Sequence, residues 1–110
     1  MLVQLSSIEI TVLKGEILEA LRTIYDPEIP VNIYELGLIY DIDISPDAVV
    51  NITMTLTSPG CPVAGSLPPE VREKAASVPG VREANVDVVW EPPWNLEMMS
   101  EEAKLELGFF

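Results

Sequence analysis

Two short runs of strict alternation constrain this chain more than anything else in it. In LIYDIDI, residues 38–44, Leu38, Tyr40, Ile42 and Ile44 share one side and Asp41 and Asp43 the other. In VVNITMTLT, residues 49–57, Val50, Ile52, Met54 and Leu56 share one side, with Asn51, Thr53 and Thr55 opposite. A period of two is the signature of a strand with one buried and one wet face. The SPDA between them has a proline at the second position of a turn, so the two strands read as an antiparallel hairpin. A sheet with one apolar face must be covered on that face by another layer.

The helices are legible. LKGEILEALRTI, residues 13–24, places Leu13, Ile17, Leu21 and Ile24 on one stripe, with Thr11 as candidate cap. Pro27 sets its end near Asp26, because the residue before a proline avoids α geometry. Asn32 is suited to cap a helical turn through Glu35, and Gly37 to the left-handed stop after it. A second helix is expected over 69–78, with Pro69 near its first position and Val71, Ala75 and Val78 inward. VREANVDVVW, residues 81–90, reads as a third strand with Ala84, Val86, Val88 and Trp90 inward and Asp87 outward. SEEAKLELG closes the chain as a short helix capped by Ser100. The crossover through a helix makes the second and third strands parallel. The expected fold class is therefore α/β in the broad sense: an α+β two-layer sandwich, ordered helix-strand-strand-helix-strand-short helix. Its small three-stranded mixed sheet carries helices on one face.

Composition removes whole classes of function. The 110 residues carry a net charge of −12, which repels phosphate backbones and anionic membrane surfaces, so neither nucleic acid nor membrane is an expected partner. No apolar run reaches membrane-spanning length, and the N-terminus lacks the basic start of a signal peptide. There is no histidine and one cysteine. Ser-His-Asp and Cys-His catalysis and the usual tetrahedral zinc site are out of reach. A lone cysteine forms no internal disulfide, and a reducing cytoplasm is the expected compartment.

That cysteine, Cys61, lies in TSPGCPVAG, where the second strand gives way to a helix. A helix N-terminus favours thiolate, acidic neighbours oppose it, and no Lys or Arg is close in sequence. Two readings stand: a working thiol, and a small apolar residue of the kind most often buried. Asp26 and Glu28 flank a rigid proline, either as paired carboxylates or as a turn former and a solvated charge. Glu35 reads equally as ordinary surface. Trp90 is inward by alternation; Trp94, among prolines, is the better candidate for a lid over a site.

Taken together, YDPEIPVNIYELGLIYDI, TLTSPGCPVAG, VPGV and WEPPWNLEMMS, in this order, resemble the MIP18 family, formerly the domain of unknown function 59. That family includes SufT-like bacterial proteins, PaaD proteins of phenylacetate pathways and eukaryotic cytosolic iron–sulfur targeting factors. The resemblance runs from about Leu13 to the C-terminus, which makes 13–110 one domain and 1–12 an N-terminal extension. The terminal LELGFF departs from the family pattern, and nothing is carried over from it. The resemblance implies the fold of iron–sulfur cluster assembly domains and a non-enzymatic role in maturing iron–sulfur proteins. Its motif residues fall on Asp26, Pro27, Glu28, Glu35, Gly37, Cys61, Pro62 and Trp94. Cys61 is then a reactive thiol and transient metal contact. Asp26, Glu28, Glu35, Pro62 and Trp94 shape its pocket. One cysteine supplies one of a cluster's four ligands, so no cofactor is expected to be tightly bound; a transient iron–sulfur cluster and iron–sulfur assembly or client proteins are the expected associations, and a homodimer in which the outer-face strands and the Cys61 segment meet across a twofold axis is compatible with them. The alternative is an adaptor that docks clients, as in PaaD-like oxygenase maturation, without touching a cluster.

Overall fold

The structure, a computed structural model, describes residues 4–25, 31–56 and 67–106. Helix α1 spans Ser7–Leu21, strands β1 and β2 span Ile39–Ile44 and Val49–Met54, and helix α2 spans Leu67–Ala76. Strand β3 follows at Glu83–Val88, then a 3-10 turn at Leu96–Met98 and helix α3 at Glu101–Glu106. The sheet order is β1-β2-β3, with β1 and β2 antiparallel and β2 and β3 parallel. Helix α1 packs against α2 and β1, and α2 against β3. The expected two-layer mixed-sheet sandwich is therefore the fold.

Alternation places the core. Ile42, Ile44, Val50, Ile52 and Met54 are buried, joined by Leu13, Ile17 and Leu21 of α1 and by Val71 and Ala75 of α2. The opposite sheet face carries exposed Asp41, Asp43, Asn51 and Asp87. Across it, the Asn85 side-chain amide donates to Asn51 Oδ1 at 3.2 Å. The hairpin turn closes with Ala48 N–H donating to the Ser45 carbonyl at 3.0 Å.

Three expectations about side-chain direction fail, each where regular pairing stops. Thr55, read as outward, is fully buried, and so is Leu56 beside it. Two consecutive buried residues mean the chain is enclosed on both sides as it leaves β2. Trp90, read as core, is 42% exposed, because β3 ends at Val88 and its alternation no longer governs the next residues. In β1, Ile39 pairs with Met54 and Asp41 with Thr53, so Tyr40 is an extra, bulged residue rather than part of the alternation.

Helix boundaries also moved. Helix α2 begins at Leu67, two residues before Pro69, because both Pro68 and Pro69 fit the first turn, where amides lack intrahelical acceptors. Helix α1 begins at Ser7, not near Leu13, and its cap is Ser6 rather than Thr11. The Ser6 hydroxyl accepts from Glu9 N–H at 3.2 Å, and Glu9 Oε1 accepts from Ser6 N–H at 3.0 Å. Thr11 instead donates its hydroxyl back to the Ser7 carbonyl inside the helix. At the other end α1 stops at Leu21, short of Asp26. Thr23 and Ile24 amides bond three residues back, to Ala20 and Leu21, tightening the last turn.

The Ser6 backbone N–H, with help from its hydroxyl, holds the Glu9 carboxyl below its ordinary value of 4.5. A carboxyl depressed in the folded state stabilises above its unfolded value and stops doing so as pH falls through the folded one. Ser6→Ala should lower stability by about 1 kcal/mol at pH 7 by urea unfolding. Glu9→Gln, which removes the titrating carboxyl itself, should cost more stability at pH 7 than at pH 3.

Candidate functional site

The described parts of three of the four motif runs meet at one end of the sheet; VPGV, just before β3, lies at the other. Because β1 runs against β2 and β3, the start of β1 and the ends of β2 and β3 lie together. Two amide bonds fix that end beyond the strands. Thr55 N–H donates to the Leu38 carbonyl at 2.8 Å, and Val89 N–H to the Met54 carbonyl at 2.8 Å. The chain that leads to Cys61 departs here, just past Leu56, and returns at the start of α2; both Leu56 and Leu67 are buried anchors. Cys61 and Pro62 themselves lie outside the described residues, as do Asp26 and Glu28.

The segment holding Asp26 and Glu28 is closed at its base. Tyr25 and Asn32 form an antiparallel bridge, and Ile33 N–H donates to the Ile24 carbonyl at 2.9 Å. The chain then makes the turn expected from Asn32: its side-chain carbonyl accepts from Glu35 N–H at 2.9 Å, and Gly37 follows at φ 83°. This turn delivers the chain to the start of β1 at the same sheet end.

A segment from the C-terminal part of the chain clamps the turn. Trp94 Nε1 donates to the Leu36 carbonyl at 2.7 Å, and Ser100 N–H to the Glu35 carbonyl at 2.8 Å. Residue 37 must be glycine on two counts. Its φ is positive, and a Cβ there would collide with the Met98 carbonyl oxygen and come within 2.9 Å of its carbon. Tyr40, the bulged residue of β1, completes the clamp by donating its hydroxyl to the Pro92 carbonyl at 2.7 Å, with Met98 Sδ 3.4 Å away. Sequence reasoning passed over Tyr40, because a bulge leaves no mark on an alternating pattern.

Of the motif side chains that are described, Trp94 is half-buried against the core, its indole committed to the Leu36 carbonyl. Glu35 is largely covered, with Arg22 Nη2 at 3.7 Å from its carboxylate. Arg22 also lies 3.6 Å from Glu19 and over the Tyr34 ring at 4.8 Å. Glu35, Arg22, Asn32 and Glu102 line a cleft of about 170 Å³ together with Tyr25 and Val31, the two residues that bracket the Asp26–Glu28 segment. Among the described residues, no group of three or more Cys, Asp or Glu side chains is arranged to hold a metal ion. Thr55 Oγ1, at the departure point of the Cys61 segment, is the one buried side-chain polar atom among the described residues without a hydrogen-bond partner.

Residues 14–88 match the family described as iron–sulfur cluster assembly protein, and the chain belongs to that family. It is 56% identical over 94 residues to an Fe-S protein maturation auxiliary factor of Porphyromonas gingivalis, covering 86% of this chain and 90% of that protein. It is 47% identical over 96 residues to the Fe-S protein maturation auxiliary factor YitW of Bacillus subtilis, covering 87% and 94%. The crystal structure of a DUF59 domain from Bacillus anthracis superposes with a TM-score of 0.84 at 40% identity, covering 91% of this chain and 95% of that one. The resemblance read from the four motifs is thereby established, and so is the fold it implied.

Gly37→Ala should destabilise the protein by about 2 kcal/mol, combining backbone strain with the forced retreat of Met98. It should also shift Trp94 emission to the red in a Trp90→Phe background. Unchanged emission would mean that the clamp does not depend on the close approach at residue 37.

Proposed function

We propose that this protein is an accessory factor of iron–sulfur protein maturation that holds a cluster briefly through Cys61 and passes it to an assembly or client protein. The observation that carries this reading is the convergence at one sheet end. The chain to Cys61 leaves β2 where the Glu35 turn enters β1 and where the Trp94 clamp closes. A frame of this kind, fixed by hydrogen bonds on either side of the point where the chain leads on to Cys61, is what a transfer site needs.

Ligand arithmetic sets the mode of action. A cluster takes four thiolates or equivalent ligands, and each chain has one cysteine. Two copies facing across a twofold axis supply two, and small thiols or the client supply the rest. Such a cluster is weakly held, which suits transfer and not storage. Asp26, Glu28 and Glu35 shape the approach, with Glu35 steadied by Arg22. Pro62 stiffens the chain beside the thiol. No substrate is turned over in this scheme, and the reducing cytoplasm keeps Cys61 available. No helix among the described residues is long and apolar enough to cross a membrane.

Replacement of the chromosomal copy by Cys61→Ser tests the thiol. Cluster content of client enzymes should fall to the level of a strain lacking the protein, with the variant still present at normal abundance. Full client occupancy, with partner capture intact, would instead favour an adaptor that never touches the cluster.

A further inference from the structure

Helix α1 has a second apolar face that stays exposed among the described residues. Ile8 and Val12, one helical turn apart, are 75% and 56% exposed, although both are large aliphatic residues. They line an open groove of about 280 Å³ with Leu5, Leu13, Pro79 and Gly80. The remaining two lining residues are Glu9 and Glu16, so the apolar floor has an acidic rim and no basic side chain on it. Glu19, one turn on from Glu16, lies outside the groove and is paired with Arg22 at 3.6 Å. Lys14, the one base within α1, belongs to a different surface, beside Leu18 and Tyr34.

The groove lies at the opposite end of the sheet from the site. Leu5 N–H donates to the Pro46 carbonyl in the β1–β2 turn at 2.8 Å, and Arg82 N–H to the Ala48 carbonyl at 2.9 Å. Strand β2 runs from that turn to the departure of the Cys61 segment, roughly 20 Å at ~3.3 Å per residue. An occupant of the groove therefore leaves the sheet end at Leu56 uncovered.

We infer that this groove docks a basic amphipathic segment of a partner protein. Its aliphatic side chains would rest on Ile8 and Val12 and its Lys or Arg residues would meet Glu9 and Glu16. Charge selects this occupant. A second copy of the chain would set each Glu9 and Glu16 against their counterparts in a protein whose net charge is −12. A neutral apolar segment would partly dehydrate the Glu16 carboxylate and offer it no partner. The proposal does not depend on Cys61, so loss of one function leaves the other to be measured.

The test uses the full chain and a fluorescein-labelled peptide of Leu at helical spacing with Lys at the other positions, alongside its Leu-Glu counterpart, read by fluorescence anisotropy. The Lys peptide should bind and the Glu peptide should not. Ile8→Ala/Val12→Ala, folded by circular dichroism, should weaken binding at least about tenfold. Glu16→Lys should weaken it more than Asp43→Lys on the outer sheet face. Equal binding by the double variant would overturn the proposal, as would equal weakening by the two charge reversals, which would mean diffuse attraction to an acidic surface. Sedimentation showing a dimer that Ile8→Ala/Val12→Ala dissolves would also overturn it, by making a second copy the occupant.

Discussion

A missing side chain at residue 37 lets two distant parts of the chain touch backbone to backbone. The turn that follows Asn32 ends in the left-handed conformation, and the Met98 carbonyl occupies the space where a Cβ would stand. Around that contact the Trp94 indole, the Ser100 amide and the Tyr40 hydroxyl each find a backbone carbonyl at 2.8 Å or less. None of these bonds is strong alone, each being worth about 1 kcal/mol net. Their joint effect is to fix the turn against the C-terminal segment and thereby define the rigid side of the sheet end from which the Cys61 segment departs. The core beneath serves a different purpose: it aligns the three strands so that their ends come together.

The parts of this architecture that follow a period were legible in the residues. Alternation in 38–44 and 49–57 dictated the hairpin, and the stripe of Leu13, Ile17 and Leu21 dictated the covering helix, because burial of those side chains is what makes each element stable at all. The Asn32 cap, the Gly37 stop and the Ser100 cap were legible for a local reason: one side chain satisfies one nearby amide, or one φ excludes a Cβ.

What escaped the sequence was set by non-local contact. Tyr40 is bulged only because Ile39 and Asp41 pair with adjacent residues of another strand. Thr55 is buried by the enclosure of the chain beyond β2, and Trp90 is exposed because β3 has already ended. The partner of Trp94 could not be named, since an indole N–H gives no hint of which carbonyl it will meet. The early start of α1 is different: Ser6 and Glu9 form a legible capping box, but the apolar stripe drew attention six residues downstream. Of the site, the frame of Glu35, Gly37 and Trp94 is seen, while the carboxylates of Asp26 and Glu28 and the thiol of Cys61 lie outside the described residues.

One cysteine thiol per chain is the quantity on which the proposed transfer mechanism turns. It forbids a protein-only cluster on a monomer and makes every cluster-bearing state a shared one. Anaerobic titration of the purified protein with ferrous iron and sulfide in the presence of glutathione, followed by native mass spectrometry, addresses this directly. Cluster absorbance should rise together with a species of two chains and one cluster, vanish on addition of an apo-acceptor, and be absent from Cys61→Ser. A cluster retained on a single chain after removal of glutathione would contradict the mechanism.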